Sequence, residues 1–247
     1  MAKPVVFITG GGRRIGAAIS SLLMESGYYV LIHVRNSVAE AQSIIDNYSK
    51  SNGGQISGDI IRADLLNDDM AKLIDSVINH PKVIEYGGLF GLINNASIYQ
   101  PISFSDLTFE EFKNNFTIHV DVPFLLTKGL YDSLKAKSGS VIGIVDTSQG
   151  RAWQDLTHYT ASKNALRQMM INLAGDLHPH VRVNCIAPGA IVSADWEAEH
   201  FASVLEKVPM GRSGEPKDIA NAAKFLLESA HLSGQIINVD GGWTLVE

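Results

Sequence analysis

The chain has 247 residues, of which 45% are hydrophobic, and a formal net charge of −6 with acidic and basic residues interspersed. This composition supports one sizeable core and excludes the basic surface that binds nucleic acid or an anionic membrane. The single cysteine, Cys185, excludes an internal disulfide, and no apolar run approaches the roughly 20 residues that cross a bilayer. The first residues, MAKPVVFITG, lack the features of a secretory signal. We therefore expect a cytoplasmic, single-domain protein that binds a small molecule, without a metal, nucleic acid or membrane partner.

Seven short apolar runs rich in β-branched residues predict β-strands, and longer segments with helical spacing lie between them. The predicted strands are Val5–Thr9, Val30–Val34, Ile56–Arg62, Leu89–Asn94, Ser140–Val145, Val181–Ile186 and Gln235–Val239. The predicted helices are Ile15–Glu25, Val38–Tyr48, Met70–Ile78, Phe109–Leu134, Ala161–Leu177 and Ile219–Glu228. Alternating strands and helices, with strands that are apolar throughout, predict a parallel sheet covered on both faces. The expected fold is α/β, doubly wound and of the Rossmann type.

The segment Ser193–Pro209 interrupts this alternation, between the sixth predicted strand and the last predicted helix. It contains Trp196, Glu197, Glu199 and His200. Two interpretations are open. The segment is either a lid over an active site or a variable surface insertion.

A glycine-rich turn follows the first predicted strand at Thr9–Gly16, with the sequence TGGGRRIG, and a helix begins at once. Glycines let the backbone approach a pyrophosphate closely, and the N–H groups at the start of a helix attract the anion. The predicted cofactor contacts in this turn are Gly10, Arg13, Arg14, Ile15 and Gly16. A glycine cluster after a strand can also be only a tight turn, so the dinucleotide hypothesis depends on the rest of the chain.

The end of the second predicted strand is followed by Arg35, Asn36 and Ser37, where NAD-preferring proteins usually place a carboxylate for the ribose 2′-hydroxyl. Arg35 can pair with a 2′-phosphate and the next two residues can donate hydrogen bonds to it, which favours NADPH over NADH. The alternative is a solvated loop arginine. Asp64 is a candidate acceptor for the adenine amino group, with Leu65 beside it in the cofactor site, unless Asp64 caps the next helix.

Tyr159 and Lys163 lie four residues apart at the start of a predicted helix, which places the phenol and the ammonium on one face. A phenol with a reference pKa of about 10 is a poor acid–base catalyst at neutral pH. An adjacent lysine and a bound nicotinamide cation both favour its ionised form. The pair therefore predicts a tyrosine that exchanges a proton.

Taken together, these motifs give the chain a resemblance to the short-chain dehydrogenase/reductase family over essentially its full length. TGGGRRIG, Asp64, NNAS at Asn94–Ser97, YTASK, VRVNCIAPG and the terminal VDGGW occur in the family's order. The resemblance implies hydride transfer, with a cofactor half at roughly 1–145 and a catalytic and substrate half at roughly 146–247. It further implies that Asn95 and Ala96 line the cofactor, that Lys163 holds the nicotinamide ribose, and that Pro188 and Gly189 flank the nicotinamide. Tyr159 is expected to contact the cofactor as well. Relatives commonly form tetramers through two long helices, so a homotetramer is implied as well.

Two departures from the broad family pattern resemble the pteridine reductases and the related dihydromonapterin reductases. The middle glycine of the usual loop is Arg14, and the usual catalytic serine, thirteen positions before Tyr159, is Asp146. A serine hydroxyl suits a carbonyl oxygen, whereas a carboxylate binds an N–H-rich heterocycle such as an aminopterin. The implied reaction is NADPH-dependent hydride transfer to a C=N bond of dihydromonapterin, dihydrobiopterin or dihydrofolate. The catalytic residues are then Asp146, Tyr159 and Lys163, and the substrate-binding residues are Arg14, Ser97, Tyr99, Asp146, Tyr159 and Trp196.

Three alternatives follow from the same residues. Ser148 lies two positions after Asp146, and if it faced the nicotinamide the substrate would be a ketone or quinone. His119 stands where the family usually has an asparagine that maintains a water-linked proton path, and it is either a functional equivalent or a packed helix histidine. A non-catalytic NADPH-binding sensor or scaffold is the third, because a Rossmann fold alone does not guarantee chemistry.

Overall fold

The computed structural model describes residues 2–193 and 198–246, with the backbone alone at 198–200. Within these ranges the chain forms one seven-stranded sheet in which all neighbouring strands are parallel, in the order β3-β2-β1-β4-β5-β6-β7. The strands are β1 Val5–Ile8, β2 Tyr29–Val34, β3 Gly58–Arg62, β4 Gly91–Asn94, β5 Ser140–Ile144, β6 Arg182–Pro188 and β7 Ile236–Val239. The predicted single-domain, doubly wound α/β fold is confirmed, with strand ends displaced by at most two residues.

The helices are α1 Arg14–Glu25, α2 Val38–Ser51, α3 Met70–Ile78, α4 Pro81–Tyr86, α5 Phe109–Phe116, α6 Val122–Gly129, α7 Tyr131–Lys135, α8 Thr157–Asp176, α9 Ala198–Leu205 and α10 Pro216–Glu228. The sequence pattern missed α4, which is only six residues long. It also missed α9, which lies inside the irregular segment Ser193–Pro209. Among the described residues, no helix has the length and apolar character required to cross a membrane.

The predicted long helix Phe109–Leu134 is not continuous. A π-helical turn, Thr117–Asp121, separates α5 from α6, and α7 follows as a separate short helix. Pro123 lies in the first turn of α6 and has no backbone N–H, so it cannot donate the α-helical hydrogen bond to the carbonyl of His119. The wider π-helical turn lies at this point, and π-turns within helices are frequent at functional sites.

The core has two apolar layers, one on each face of the sheet. Side chains of α1 and α10, such as Leu23 and Leu226, pack together on one face, and those of α6 and α8, such as Leu126 and Met170, pack on the other. These side chains are at most 2% exposed. Burial of both faces explains why the central strands are apolar at successive positions.

The strand order reverses between β1 and β4, which are neighbours although β2 and β3 lie between them in the chain. The connections that leave the carboxyl ends of β1 and β4 therefore diverge to opposite faces of the sheet. A crevice at such a switch point is where open α/β sheets bind ligands. The glycine-rich turn follows β1 and the NNAS segment follows β4, so both border this crevice.

Candidate active site

A cleft of about 580 Å³ lies at the carboxyl edge of the sheet. It brings together most of the site residues predicted from the sequence. Those that line it are Gly10, Arg13, Arg14, Ile15, Gly16, Arg35, Asp64, Leu65, Asn95, Ala96, Ser97, Tyr99, Asp146, Tyr159, Lys163, Pro188 and Gly189. Asn36 and Ser37 do not line it: Asn36 is exposed and Ser37 precedes α2. Trp196 lies outside the described residues.

The glycine-rich turn is tied to the β4 loop by hydrogen bonds. Thr9 Oγ1 accepts from the backbone N–H groups of Asn95 and Ala96 at 3.0 Å each. The Asn95 side-chain amide donates to the carbonyl oxygens of Thr9 at 2.9 Å and Gly10 at 3.0 Å. Gly10 has φ +64°, and a Cβ there would lie 3.1 Å from Ala96 Cα, so both conformation and space favour glycine.

Helix α1 begins without a side-chain cap: Arg13, at the N-cap position, makes no capping hydrogen bond. The first N–H groups of a helix have no intrahelical partner, so α1 presents unsatisfied donors to the cleft. Arg13 instead pairs with Glu40 on the exposed surface. Arg14 has φ +51° and donates from Nη2 to the Val192 carbonyl at 2.7 Å, which links the turn to the segment after β6.

Sequence reasoning missed His33, which is 2% exposed at the end of β2. Its Nδ1 accepts from the Gly10 N–H at 3.2 Å and its Nε2 lies 3.1 Å from the Ala63 carbonyl. Because a carbonyl cannot donate, Nε2 carries the proton and the ring is neutral. Burial lowers the pKa of His33. The available signal was a single polar residue within the apolar run YVLIHV.

Asp64 does not cap the following helix, so that alternative is wrong. Its carboxylate accepts from the Leu66 N–H and the Asn67 side chain within its own turn, each at 3.0 Å. Asp69 is the residue that caps α3, by accepting from the Ala71 N–H. The hydrogen bonds from Asn67 and Leu66 and the charge of Arg35 lower the pKa of Asp64. The carboxylate therefore stays ionised at the edge of the cleft.

Tyr159 and Asp146 meet at the centre of the cleft. The Tyr159 hydroxyl donates to Asp146 Oδ2 at 2.9 Å, and the backbone N–H of Ser148 donates to Oδ1 at 2.7 Å. Thr147 instead donates to the Pro188 carbonyl at 3.1 Å. Asp146, and not Ser148, is thus the hydrogen-bond partner of the phenol. The Ser148 hydroxyl also borders the cleft and makes no hydrogen bond to any described residue.

Lys163 lies one helical turn after Tyr159 and is 4% exposed. Its ammonium donates to the Ile144 carbonyl at 2.8 Å and lies 5.8 Å from the centre of the Tyr159 ring. Burial lowers the pKa of Lys163 to about 8, an effect that Asp146 and Cys185 oppose. The group remains mostly protonated at neutral pH and places a positive charge beneath the phenol.

His119 is fully buried in the π-helical turn and lies edge-on to the Tyr159 ring, with 5.6 Å between ring centres. Its two ring nitrogens each lie 2.8 Å from a serine hydroxyl, Ser97 at Nε2 and Ser162 at Nδ1. Both ring nitrogens are therefore engaged by serine hydroxyls, one of them at the cleft.

Aromatic side chains form much of the remaining wall. Tyr99 lies 4.8 Å from Tyr159 between ring centres, with the planes at 59°. Trp153 and Trp243 also line the cleft and pack edge-to-face at 5.4 Å. Sequence reasoning missed these two tryptophans, because they lie far apart in the chain and only the fold brings them together. Trp153 lies in a loop and Trp243 begins a 3₁₀-helical turn. The available signal was a large aromatic residue outside the predicted strands and helices.

The described part of Ser193–Pro209 borders the cleft. Phe201 and Val204, both on α9, are among the lining residues. Helix α9 therefore forms part of the wall of the cleft, and whether the segment acts as a lid stays a prediction.

A parallel sheet with its glycine turn at the switch point, and a tyrosine–lysine pair opposite, defines the class of dinucleotide-binding oxidoreductases. Residues 11–244 match the family model described as enoyl-(acyl carrier protein) reductase. The chain belongs to the short-chain dehydrogenase/reductase family.

Solved structures and curated relatives agree with this family. The FolM alternative dihydrofolate reductase 1 of Brucella canis, complexed with NADP, is 30% identical with a TM-score of 0.87, and the alignment covers 100% of this chain and 96% of that one. Its counterpart from Brucella suis, also with NADP, is 29% identical with a TM-score of 0.89, at 100% and 97% coverage. An uncharacterized oxidoreductase of Bacillus subtilis, YmfI, is 29% identical over 96% of this chain and 97% of its own length.

Proposed function

We propose that this protein is an NADPH-dependent reductase that transfers hydride to a C=N bond of a dihydropterin, such as dihydromonapterin, dihydrobiopterin or dihydrofolate. The observation on which this depends is the hydrogen bond from the Tyr159 hydroxyl to the Asp146 carboxylate at 2.9 Å. A carboxylate only accepts hydrogen bonds, so it suits the amino and N–H groups of a pterin better than a carbonyl oxygen. The similarity to two alternative dihydrofolate reductases supports the same substrate class.

The cofactor half of the cleft fits NADPH. The uncapped start of α1 and the glycine turn supply N–H groups for the pyrophosphate. Arg35 is exposed at the end of β2, lines the cleft and forms no ion pair with any described residue, so its guanidinium is available to a 2′-phosphate. Asn95, Ala96, Pro188 and Gly189 border the part of the cleft next to Tyr159. When bound, the nicotinamide supplies a hydride to the substrate carbon.

The chain's own residues supply the proton. As the C=N π bond breaks, a C–H bond forms with the hydride and the neighbouring nitrogen takes a proton. The proton comes from the Tyr159 hydroxyl, which donates to Asp146 Oδ2 at 2.9 Å. Tyr159 gives it to that nitrogen and becomes a phenolate. The Lys163 ammonium stabilises the negative charge that stays on the pair. Lys163 donates one hydrogen bond to Ile144, which leaves N–H groups for the nicotinamide ribose.

Substrate contacts are proposed for Arg14, Ser97, Tyr99, Asp146, Tyr159 and Trp196. Tyr99 borders the reactive pair and offers an aromatic face on which a flat heterocycle can stack. Arg14 stands at the start of α1 beside the same cleft, within reach of an anion and of the substrate edge. A cytoplasmic location and a homotetramer remain predictions.

A second candidate is an NADPH-dependent carbonyl or quinone reductase. The Ser148 hydroxyl favours it, because this group is buried at the cleft, has no described hydrogen-bond partner and could donate to a carbonyl oxygen. A non-catalytic NADPH-binding sensor is disfavoured by the buried Lys163, because a buried charge is costly to keep unless it has a task.

The test is NADPH consumption by the purified protein with dihydromonapterin, dihydrofolate and a simple diketone. Wild type is compared with Asp146→Ser, and with Ser148→Ala as the matched control. The proposal expects pterin turnover that is lost in Asp146→Ser and kept in Ser148→Ala. Diketone reduction without pterin turnover, lost instead in Ser148→Ala, would establish the carbonyl reductase. Cofactor binding without turnover of any substrate would establish the sensor.

A further inference from the structure

His119 connects the cleft to the catalytic helix α8 through two serine hydroxyls. On the cleft side, Ser97 Oγ lies 2.8 Å from Nε2, and on the helix side, Ser162 Oγ lies 2.8 Å from Nδ1. Ser162 Oγ also lies 2.8 Å from the Tyr159 carbonyl oxygen. His119 and Ser162 are fully buried, whereas Ser97 is exposed at the cleft.

The positions of the protons follow from counting donors and acceptors. A carbonyl only accepts, so the Ser162 hydroxyl must donate to Tyr159, since otherwise two oxygens would face each other at 2.8 Å without a proton between them. Ser162 is then an acceptor toward His119, and Nδ1 carries the ring proton. This leaves Nε2 as a buried acceptor, and among the described residues its hydrogen-bond neighbour is Ser97. Leaving it unsatisfied would be costly, so the Ser97 hydroxyl donates to it.

The charge state of the ring is consistent with this arrangement. Burial lowers the pKa of His119 well below its ordinary value, and the nearby charges of Lys163 and His158 lower it further. The ring is therefore neutral, with one nitrogen protonated. A hydroxyl has one proton, and Ser97 uses its proton on His119. Only the lone pairs of its oxygen remain for a ligand in the cleft.

We propose that His119 is a positioning residue that fixes the Ser97 hydroxyl as a hydrogen-bond acceptor, so that the cleft selects ligands that present an N–H or O–H donor at this point. This inference rests on the proposed function for the identity of the ligand, because an aminopterin edge supplies such donors. The hydrogen-bond direction itself depends only on the contacts of His119.

The first experiment measures the tautomer directly. Protein labelled with nitrogen-15 at histidine is examined by long-range proton–nitrogen NMR at neutral pH, and the His119 signals are assigned by their loss in His119→Phe. The expected result is a proton on Nδ1 and a bare Nε2. In Ser162→Ala the acceptor at Nδ1 is gone, and we expect the proton to move to Nε2. A wild-type ring protonated at Nε2, or a tautomer unchanged in Ser162→Ala, would overturn the proposal. His180→Phe, at an exposed position, is the control.

The second experiment is a double-mutant cycle on pterin reduction. Ser97→Ala and His119→Phe should each raise the KM by about tenfold, which corresponds to one lost hydrogen bond, with a smaller effect on kcat. If His119 acts through Ser97, the double variant resembles Ser97→Ala alone. Additive effects on KM would mean that His119 only supports the fold, which would overturn the proposal. If no pterin is turned over, the proposed function fails, while the tautomer measurement still decides the role of His119.

Discussion

The Tyr159 hydroxyl donates to Asp146 Oδ2 across 2.9 Å, while the Lys163 ammonium lies 5.8 Å from the centre of the same phenol ring. The carboxylate disfavours an ionised phenol and the ammonium favours one. In the proposed reaction the phenol passes the proton of this hydrogen bond to the substrate nitrogen. A serine at position 146 could also accept this hydrogen bond, but it would not present a carboxylate to the N–H groups of a pterin.

Replacing the phenol hydroxyl tests this pair. We expect Tyr159→Phe to lower kcat/KM by about 10²- to 10⁴-fold, the range typical of general acid–base catalysis. The ring remains to pack against Tyr99 and His119, so unfolding and NADPH affinity should stay near wild type. Steady-state kinetics and a fluorescence titration with NADPH measure the two effects. Retained turnover in Tyr159→Phe would mean that Asp146 delivers the proton without the phenol.

The buried Lys163 makes stability depend on pH in a defined window. Its folded pKa of about 8 lies below the ordinary lysine value of 10.5, so the folded state binds this proton less tightly than the unfolded chain does. The resulting destabilisation is fully present below pH 8 and is removed as the pH rises toward 10.5. Relative to Lys163→Met, wild type should therefore gain about 1 kcal/mol of unfolding free energy per pH unit above pH 8.

The measurement is denaturant unfolding of both proteins between pH 7 and about 9. The upper limit matters because burial raises the pKa of Cys185 to about 12, and this thiol lowers stability once the unfolded chain ionises it. Taking the difference between wild type and variant cancels that contribution. A difference that does not change with pH would show that Lys163 keeps an ordinary pKa.

Much of the site was predictable because parallel strands end at one edge, so motifs that follow different strands converge there. Gly10, Asn95 and Asp146 come after β1, β4 and β5, and all three line the cleft. Residue type and spacing were enough to place Tyr159 and Lys163 together. Asn36 and Ser37 follow Arg35 where the chain enters α2, and they are not among the residues that line the cleft. A Cβ on Gly12 would lie 2.8 Å from Ser37 Oγ, so Ser37 borders the glycine turn, and its contact with a 2′-phosphate stays a prediction, as does that of Asn36.

Residues whose role depends on tertiary contacts were beyond sequence reasoning. His33 acts on Gly10 across two neighbouring strands, and nothing in either motif specifies that contact. His119 was identified by position, but its partners Ser97 and Ser162 come from the β4 loop and from α8. The break in the long helix at the π-helical turn, with Pro123 beside it, was visible only as a proline in a helical pattern. Tertiary packing determines these contacts and the position of the break, and no local motif specifies that packing.

Cofactor preference should depend on Arg35. We expect Arg35→Asp to weaken NADPH binding by about a hundredfold, because a charge-assisted bond to the 2′-phosphate is replaced by repulsion. The NADH affinity should stay level or improve, since a carboxylate at this strand end suits the ribose 2′-hydroxyl. Dissociation constants for both cofactors are measured for wild type and variant. Lys72→Glu, at an exposed position of α3, is the control for a general charge effect, and an equal loss in both variants would contradict a specific role of Arg35.

His33 should make the glycine turn sensitive to acid. Its folded pKa is lowered by burial, so the unfolded chain takes up the proton more readily, and the stability from neutral His33 is lost as the pH falls below about 6.5. Protonation would also place a donor at Nδ1 opposite the Gly10 N–H and open the turn that faces the pyrophosphate. NADPH affinity should therefore fall between pH 7 and about 5 in wild type and fall less in His33→Gln. The pKa of His119 is also lowered by burial, so this residue too makes the protein less stable as the pH falls. Only the difference between wild type and His33→Gln therefore isolates the effect of His33. Identical pH profiles for NADPH binding in wild type and His33→Gln would contradict the coupling between this ring and the cofactor turn.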